Sequence, residues 1–363
     1  MNEKQFPCGQ CGASLEFKPG ASALECPYCG HRNPVVTEQS NIEELDYSVY
    51  LEKTRDQEAT EEFYTVKCCS CGAESTLDKN VSSDECPFCG SPVVAEGQKK
   101  KVIKPRSLLP FKVTRKEGLQ SFRKWIKGLW FAPNALKKRS NTHNRLQGVY
   151  VPYWTYDCFT HTGYTGARGT YYYVTETYTV TVNGKSVPRT RQVRRTRWTP
   201  VSGNVINSFD DILILASESL PAEYAEKLEP WDLRNLVNFD AQYLSGFKTE
   251  TYQIDLPDGF QRARVKMEPV IHQTICRDIG GDEQRVTSAK TCYSSISFKH
   301  LLLPVWISAY RFKQRVYRFL VNARTGEVQG ERPWSWIKIT AAALASLIVI
   351  AAIAFAAFYY LQN

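Results

Sequence analysis

Histidine and methionine are scarce in this chain, and the signatures by which many enzymes can be read from sequence are missing. Its five histidines (His31, His143, His161, His272, His300) are scattered. No His-Glu-x-x-His sets two imidazoles on one helix face for a catalytic zinc, and no Gly-x-Ser-x-Gly elbow raises a serine nucleophile. No Gly-x4-Gly-Lys-Ser/Thr loop is present to cradle a triphosphate, and the middle of the chain is too small for paired motor domains, which excludes ATP-driven unwinding. The Gly-rich stretch Arg277-Asp278-Ile279-Gly280-Gly281-Asp282-Glu283 reads as a helix end and a loop rather than a site. The expectation is therefore no enzyme, no catalytic residue and no small-molecule substrate. No apolar run follows Met1, so the chain is expected in a reducing cytosol, with thiols available to metal rather than paired in disulfides.

What the chain does have is cysteine, twelve in 363 residues. Eight fall in four Cys-x-x-Cys pairs: Cys8 with Cys11, Cys26 with Cys29, Cys68 with Cys71, and Cys86 with Cys89. Fourteen residues separate the pairs in each set, and every ligand recurs at an offset of 60. Ten of 23 positions are identical between residues 8–30 and 68–90, which reads as a duplicated small unit. Two knuckles, each presenting two sulfurs, complete a tetrahedral four-thiolate site that suits Zn2+ and leaves no open position, so two structural zinc ions are expected. Units this short cannot bury a sufficient core, and metal is expected to supply most of their folding free energy. Cys69 reads as a bystander, and Cys158, Cys276 and Cys292 as small buried hydrophobes.

Charge is distributed in blocks. Residues 1–98 carry 7 Lys/Arg against 17 Asp/Glu, whereas residues 99–145 carry 15 against the single acid Glu117. The first block is thus net −10 and the second +14. With eight thiolates and two zinc ions the first block would reach −14, which repels phosphate backbones. The basic block is either a solvated face or a binding surface, with Lys99, Lys100 and Lys101 as candidate anion contacts. Lipid headgroups and the acidic ribbons are its expected acceptors in preference to DNA.

The domains expected are zinc ribbon 1 over residues 1–34, an acidic and helical linker over 35–63, and zinc ribbon 2 over 64–95. A basic linker over 96–107 then leads into an α+β domain of antiparallel sheet with helices over 108–332. In that domain Thr114 to Glu117 form a capping box, and Leu119, Phe122, Trp125, Ile126 and Leu129 follow at helical spacing. Pro257 starts a second helix with Phe260, Ala263, Val270 and Ile271 on its apolar face. Phe111-Lys-Val113 aligns with Tyr252-Gln-Ile254 at an offset of 141, and Pro152-Tyr-Trp154 with Pro304-Val-Trp306 at 152. Two copies, over 108–210 and 249–332, are the reading; chance similarity is its rival. Between them runs a Tyr- and Thr-rich strand, Asn183-Gly184, and an arginine-rich strand, a hairpin with a two-residue loop. Its register sets Tyr178 opposite Arg189, Glu176 opposite Arg191 and Tyr172 opposite Arg195 on one face. That face is either a solvated sheet surface or an anion-binding surface built on Arg189, Arg191 and Arg195.

Residues 339–358 are an uncharged apolar run of twenty, long enough to span a hydrocarbon core as a helix. Trp334 and Trp336 on one side and Tyr359 and Tyr360 on the other supply interfacial belts. Arg332 and Lys338 mark the first side as cytosolic, so a single span over 337–360 is expected, with the N-terminus and folded parts in the cytosol of a bacterium.

The paired ribbons, with Gly128-Leu-Trp-Phe-Ala-Pro133, residues 165–174 (TGARGTYYYV), 197–203 (RWTPVSG), 277–284 (RDIGGDEQ) and 326–333 (GEVQGERP), resemble a bacterial family of membrane-anchored tandem zinc-ribbon proteins. That family is sometimes labelled as related to the primosomal helicase. The resemblance covers nearly the whole chain and implies a scaffold without established activity, with an SPFH (flotillin-like) protein and the membrane-stress protein PspA as partners. The reading is thus a non-enzymatic zinc-binding adaptor on the cytosolic membrane face. The alternative is nucleic-acid binding through residues 99–145 and the arginine hairpin.

Overall fold

The computed structural model describes residues 6–21, 23–35, 42–52, 60–70, 72–76, 83–88, 91–94, 98–139, 146–182, 185–312 and 315–362. Three long strands form the frame of a nine-stranded sheet: β1 (Gln147–Val182), β2 (Lys185–Leu215) and β3 (Glu283–Phe312). β1 lies between the other two and pairs antiparallel with both. β4 (Arg315–Asn322) and β5 (Val328–Gly330) extend the sheet beyond β3. Runs of Tyr, Val and Thr favour these strands, because β-branched and aromatic side chains pack on a pleated surface.

The principal helices are α1 (Arg115–Gly128), α2 (Asn134–Arg139), α3 (Leu256–Ile279) and α4 (Trp336–Gln362). The capping box starts α1: the Glu117 amide donates to Thr114 Oγ1 at 3.3 Å, and the Thr114 amide to Glu117 Oε2 at 2.8 Å. Gly118, Phe122 and Ile126, four residues apart, then face the sheet. In α3, Asp255 accepts from the Asp258 amide at 3.0 Å, and Gly280 ends the helix at φ +64 with its amide on Cys276 O. The buried stripe is Phe260, Ala263, Met267, Ile271, Ile275 and Ile279. Val270, expected on that stripe, is 46% exposed, because Met267 and Ile271 hold the inward positions on either side.

Side chains alternate across the sheet, as the two-residue period of a strand requires. Tyr150, Trp154, Tyr156 and Cys158 of β1 point to one face, towards α1 and α3, while Val149, Val151 and Tyr153 point to the other. The first cysteine unit packs on the face of α1. Its Leu15, Phe17 and Leu24 share a core with Phe111, Phe122 and Tyr243, and Phe17 N–H bonds Ser245 O at 3.0 Å. The second unit packs on the opposite face, where Val66, Ala73 and Phe88 meet Leu109, Leu215 and Leu301.

The segments aligned in sequence occupy equivalent places. Val149 of β1 lies opposite Val305 of β3, and Pro152 opposite Leu302, so the two Pro-x-Trp segments run antiparallel side by side. Trp154 Nε1 donates to Ile254 O at 2.9 Å, and Trp306 Nε1 to Val113 O at 2.9 Å. Gly118 sits against the Trp306 ring and Gly259 against the Trp154 ring, where a Cβ would lie 3.4 and 2.9 Å from the indole Cδ1. Each tryptophan thus bonds the lead-in to the other segment's helix, a pairwise exchange with local two-fold character.

The linkers differ from expectation. Among the described residues of the acidic stretch the helix is Tyr47–Glu52, preceded by Leu45–Asp46 on β3, while Thr60–Lys67 is a strand; residues 36–41 and 53–59 lie outside the described residues. In the basic linker Gln98–Ile103 is a strand paired with Thr60–Lys67, and Ser107–Leu108 enters the main sheet beside β3. Aromatic and β-branched residues in both stretches (Phe63, Tyr64, Thr65, Val66; Val102, Ile103) favour strand, and pairing overrides the charge that made them resemble linkers.

Candidate metal centre and membrane junction

Four knuckles share one backbone design. The amides of Cys8, Cys26, Cys68 and Cys86 each donate to the carbonyl five residues on, at 2.7 to 2.9 Å. Gly12, Gly30 and Gly72 turn back to the cysteine carbonyl four residues before, each at φ between +71 and +75, a region that glycine enters without a Cβ clash. This turn brings the first set together. The sulfurs of Cys8, Cys11, Cys26 and Cys29 all lie within 4.8 Å of one another. Cys8 and Cys29 are 3.5 Å apart, as are Cys11 and Cys26, far beyond a disulfide bond.

The electrostatics of the cluster call for a cation. The amides of Cys29 and Tyr28 flank the Cys26 sulfur and outweigh burial, holding its pKa down to about 6. At Cys29 the His31 amide works in the same direction, yet burial and the neighbouring sulfurs push that thiol up to about 12. Four sulfurs this close cannot all ionise without a positive charge among them, so the group can hold a metal ion.

In the second set Cys68 and Cys86 are buried in the same knuckle geometry, and Cys71 and Cys89 lie outside the described residues. Cys69 is exposed, as a bystander would be. Cys158 is buried against Met267, whereas Cys276 is half-buried and Cys292 exposed, against expectation. Cys276 lies off the buried stripe of α3, and Cys292 faces solvent opposite the exposed His161. Asp157, Asp210 and Asp211 also converge, but Lys299 Nζ lies 2.7 Å from Asp211, 3.0 Å from Glu44 and 4.0 Å from Asp157. The cation in that cluster is an ammonium.

α4 is long and apolar enough to cross a membrane, and no other described part of the chain covers its apolar run. Its root is tied to the loop between α1 and α2, a contact that no sequence pattern announced. Ser335 N–H bonds Phe131 O at 2.8 Å, and Lys338 Nζ reaches Ala132 O at 2.9 Å and Asn134 Oδ1 at 2.8 Å. Lys338 Nζ also reaches Trp130 O at 3.3 Å, and the Phe131 ring lies 6.3 Å from that of Trp334, so the exposed Trp130 and Trp336 both belong to this junction. The nearest sequence signal was Trp130 itself, a large apolar side chain in a short Gly- and Pro-bounded segment.

The hairpin register agrees with the count along the sequence: Tyr172 faces Arg195, Glu176 faces Arg191 and Tyr178 faces Arg189. Its Asn183-Gly184 turn lies outside the described residues. Glu176 accepts from Arg195 at 2.7 Å and Arg191 at 3.3 Å, so two of the three candidate arginines already hold a carboxylate. Lys99, Lys100 and Lys101 lie in the strand opposite Tyr64, Phe63 and Glu62, far in sequence from the hairpin. Residues 140–145 of the basic block lie outside the described residues.

No family model matches the chain, and no solved structure matches it. It is similar to a Bacillus subtilis (strain 168) protein described as "Uncharacterized protein YdjG", 25% identical over 344 residues, or 93% of this chain and 92% of that protein.

Proposed function

We propose that the chain is a non-enzymatic zinc-bound scaffold, anchored by α4 to the cytosolic face of a bacterial membrane, where it docks protein partners. The observation that carries this reading is the junction. A bare apolar helix leaves the folded domain through a root fastened by Ser335 and Lys338, which would hold the whole domain against the bilayer. Trp130, Trp334 and Trp336 cluster there, the residue type favoured at membrane interfaces, and Arg332 and Lys338 on the same side support a cytosolic domain.

Zinc is the metal proposed for Cys8, Cys11, Cys26 and Cys29, and a second for Cys68, Cys71, Cys86 and Cys89. Four sulfurs bonded at about 2.3 Å to one zinc stand roughly 3.8 Å apart, close to the spacing of the first cluster. Because both units are packed into the sheet's two cores, the docking surface of the first narrows to its knuckle tip. There Tyr28 is 84% exposed, whereas its counterpart Phe88 is buried. The family resemblance supports a flotillin-like or PspA-type partner in membrane stress.

The second reading, nucleic-acid binding, is favoured by one observation: a two-stranded arginine-bearing ribbon is an element that a DNA major groove admits. The test uses the full chain, purified without chelator into nanodiscs. Two zinc ions per chain, retention in the bilayer through carbonate, and no duplex DNA binding at about 0.15 M salt are the expected results. DNA binding lost on neutralising Arg189 and Lys99 to Lys101 would replace the scaffold with the second reading.

A further inference from the structure

The hairpin is longer than the sheet that carries it. β3 accompanies β1 as far as Gly169 and stops at Glu283. Beyond that point residues 170–182 of β1 and 185–197 of β2 continue as a two-stranded arm. Thirteen residues at about 3.4 Å each make it roughly 44 Å long. No side chain described along it is buried. Two-stranded ribbons are marginal in water, and a third strand is what usually stabilises them.

The two edges of this arm are unlike. The β2 strand carries Lys185, Pro188, Arg189, Arg191, Arg194, Arg195 and Arg197, the charge and proline by which edges resist pairing. The β1 strand, residues 170–182, has no proline, glycine or lysine, and its one charge, Glu176, is held by Arg191 and Arg195. The backbone groups on that edge can be assigned. Gly169 O accepts from the Asp282 amide at 2.8 Å and the Tyr171 amide donates to Asp282 Oδ2 at 2.7 Å, so odd-numbered residues face the β3 side. By the alternation of a strand, Tyr173, Thr175, Thr177, Thr179 and Thr181 present their N–H and C=O groups outward beyond the last rung of β3.

We propose that this edge pairs antiparallel with the same edge of a second copy of the chain, centred on Thr177, giving a four-stranded sheet in the order β2, β1, β1′, β2′. Thr177 is the midpoint of the open residues, so this register uses all of them and leaves Tyr171 on Asp282. It is also self-complementary. Thr175 meets Thr179 of the second copy and Tyr173 meets Thr181 on one face, while Val174 meets Val180 and Glu176 meets Tyr178 on the other. No like charges stand opposite one another, and threonine, valine and aromatic cross-strand pairs are favourable. A register centred on Glu176 would set that carboxylate against itself. The arginines lie on the outer strands, about 14 Å from those of the other copy and beyond the roughly 8 Å screening length of physiological salt. β1 accepts an antiparallel strand on this same edge from Gln147 to Gly169, so the arm continues an interface the fold already uses.

The test uses the full chain in membranes, with a benzophenone amino acid in place of Tyr173. Irradiation is expected to give a covalent dimer whose joined peptides link position 173 to the neighbourhood of Thr181. The Thr177→Pro substitution removes an outward amide without touching the β1–β2 ladder, and should cut the crosslinked dimer at least tenfold. Its partner across the ladder, Thr190, faces the other edge, so Thr190→Pro should leave the dimer intact. A monomer throughout, equal loss from both prolines, or a crosslink to nucleic acid or another polypeptide overturns the proposal.

Discussion

Removing metal from the first cysteine unit should destabilise the whole domain rather than a small appendage. Cys11 is exposed, so Cys11→Ala removes one of the four clustered sulfurs without opening a cavity. If the proposed metal ties the two knuckles together, loss of the fourth sulfur should release them, and Leu15, Phe17 and Leu24 should leave the core they share with Phe111 and Tyr243. Each buried side chain of this kind is worth about 1.5–3 kcal/mol, so undocking all three forfeits about 5–9 kcal/mol. That is comparable with the entire stability of an ordinary domain, about 5–15 kcal/mol. Metal content, thermal unfolding by near-UV circular dichroism, and amide exchange at Leu302 and Val321 would be followed together, with Cys292→Ala as the control. The expected result is loss of one metal, a large fall in Tm, and faster exchange in β3 and β4. Loss of the metal with stability unchanged within about 0.5 kcal/mol would refute the idea that unit and sheet are one cooperative body.

Three further outcomes follow from the packing. Trp154→Phe and Trp306→Phe each leave one carbonyl, Ile254 O or Val113 O, without its indole donor; denaturant unfolding should show similar losses of about 1–3 kcal/mol for the two, and a neutral change at either would break the equivalence. Phe88→Ala, at a fully buried ring, should cost about 3–5 kcal/mol, whereas Tyr28→Ala at the matching knuckle should fall within about 0.5 kcal/mol. Burial pushes the pKa of Glu250 up to about 8, although Ser217 donates to it at 2.7 Å. The native chain thus keeps a proton that the unfolded chain releases between its ordinary 4.5 and 8, so stability should fall with rising pH across that window, by at most about 1.4 kcal/mol per unit. Glu250→Gln should flatten that component, and identical pH profiles for the two proteins would sink the assignment.

What could be read in advance followed from local rules. The knuckles repeat a spacing that fixes their turns, the capping box needs four residues, and a two-residue loop sets a register that alternation carries along the strand. The hydrogen bonds of Trp154 and Trp306 had a trace in the offset of 141, since Val113 and Ile254 are aligned residues. The failures were non-local. Nothing around Glu283 says that β3 stops there while β1 runs thirteen residues further, because strand ends depend on partners more than 100 residues away. The acidic and basic stretches resemble linkers by their charge, yet each finds a strand partner, which charge along one stretch does not reveal. The tie from Lys338 to Ala132 and Asn134 joins residues 206 and 204 positions apart, with no pattern linking them.

The central claim, a folded domain held on the cytosolic side of a membrane by α4, is tested most directly by labelling the exposed thiol of Cys292. A membrane-impermeant maleimide would be applied to right-side-out and inside-out vesicles carrying the full chain after a carbonate wash, with the modified site read by mass spectrometry. Cys292 is expected to stay with the membrane and to be labelled in inside-out vesicles alone. Labelling in right-side-out vesicles, or release of the chain by carbonate, would contradict it.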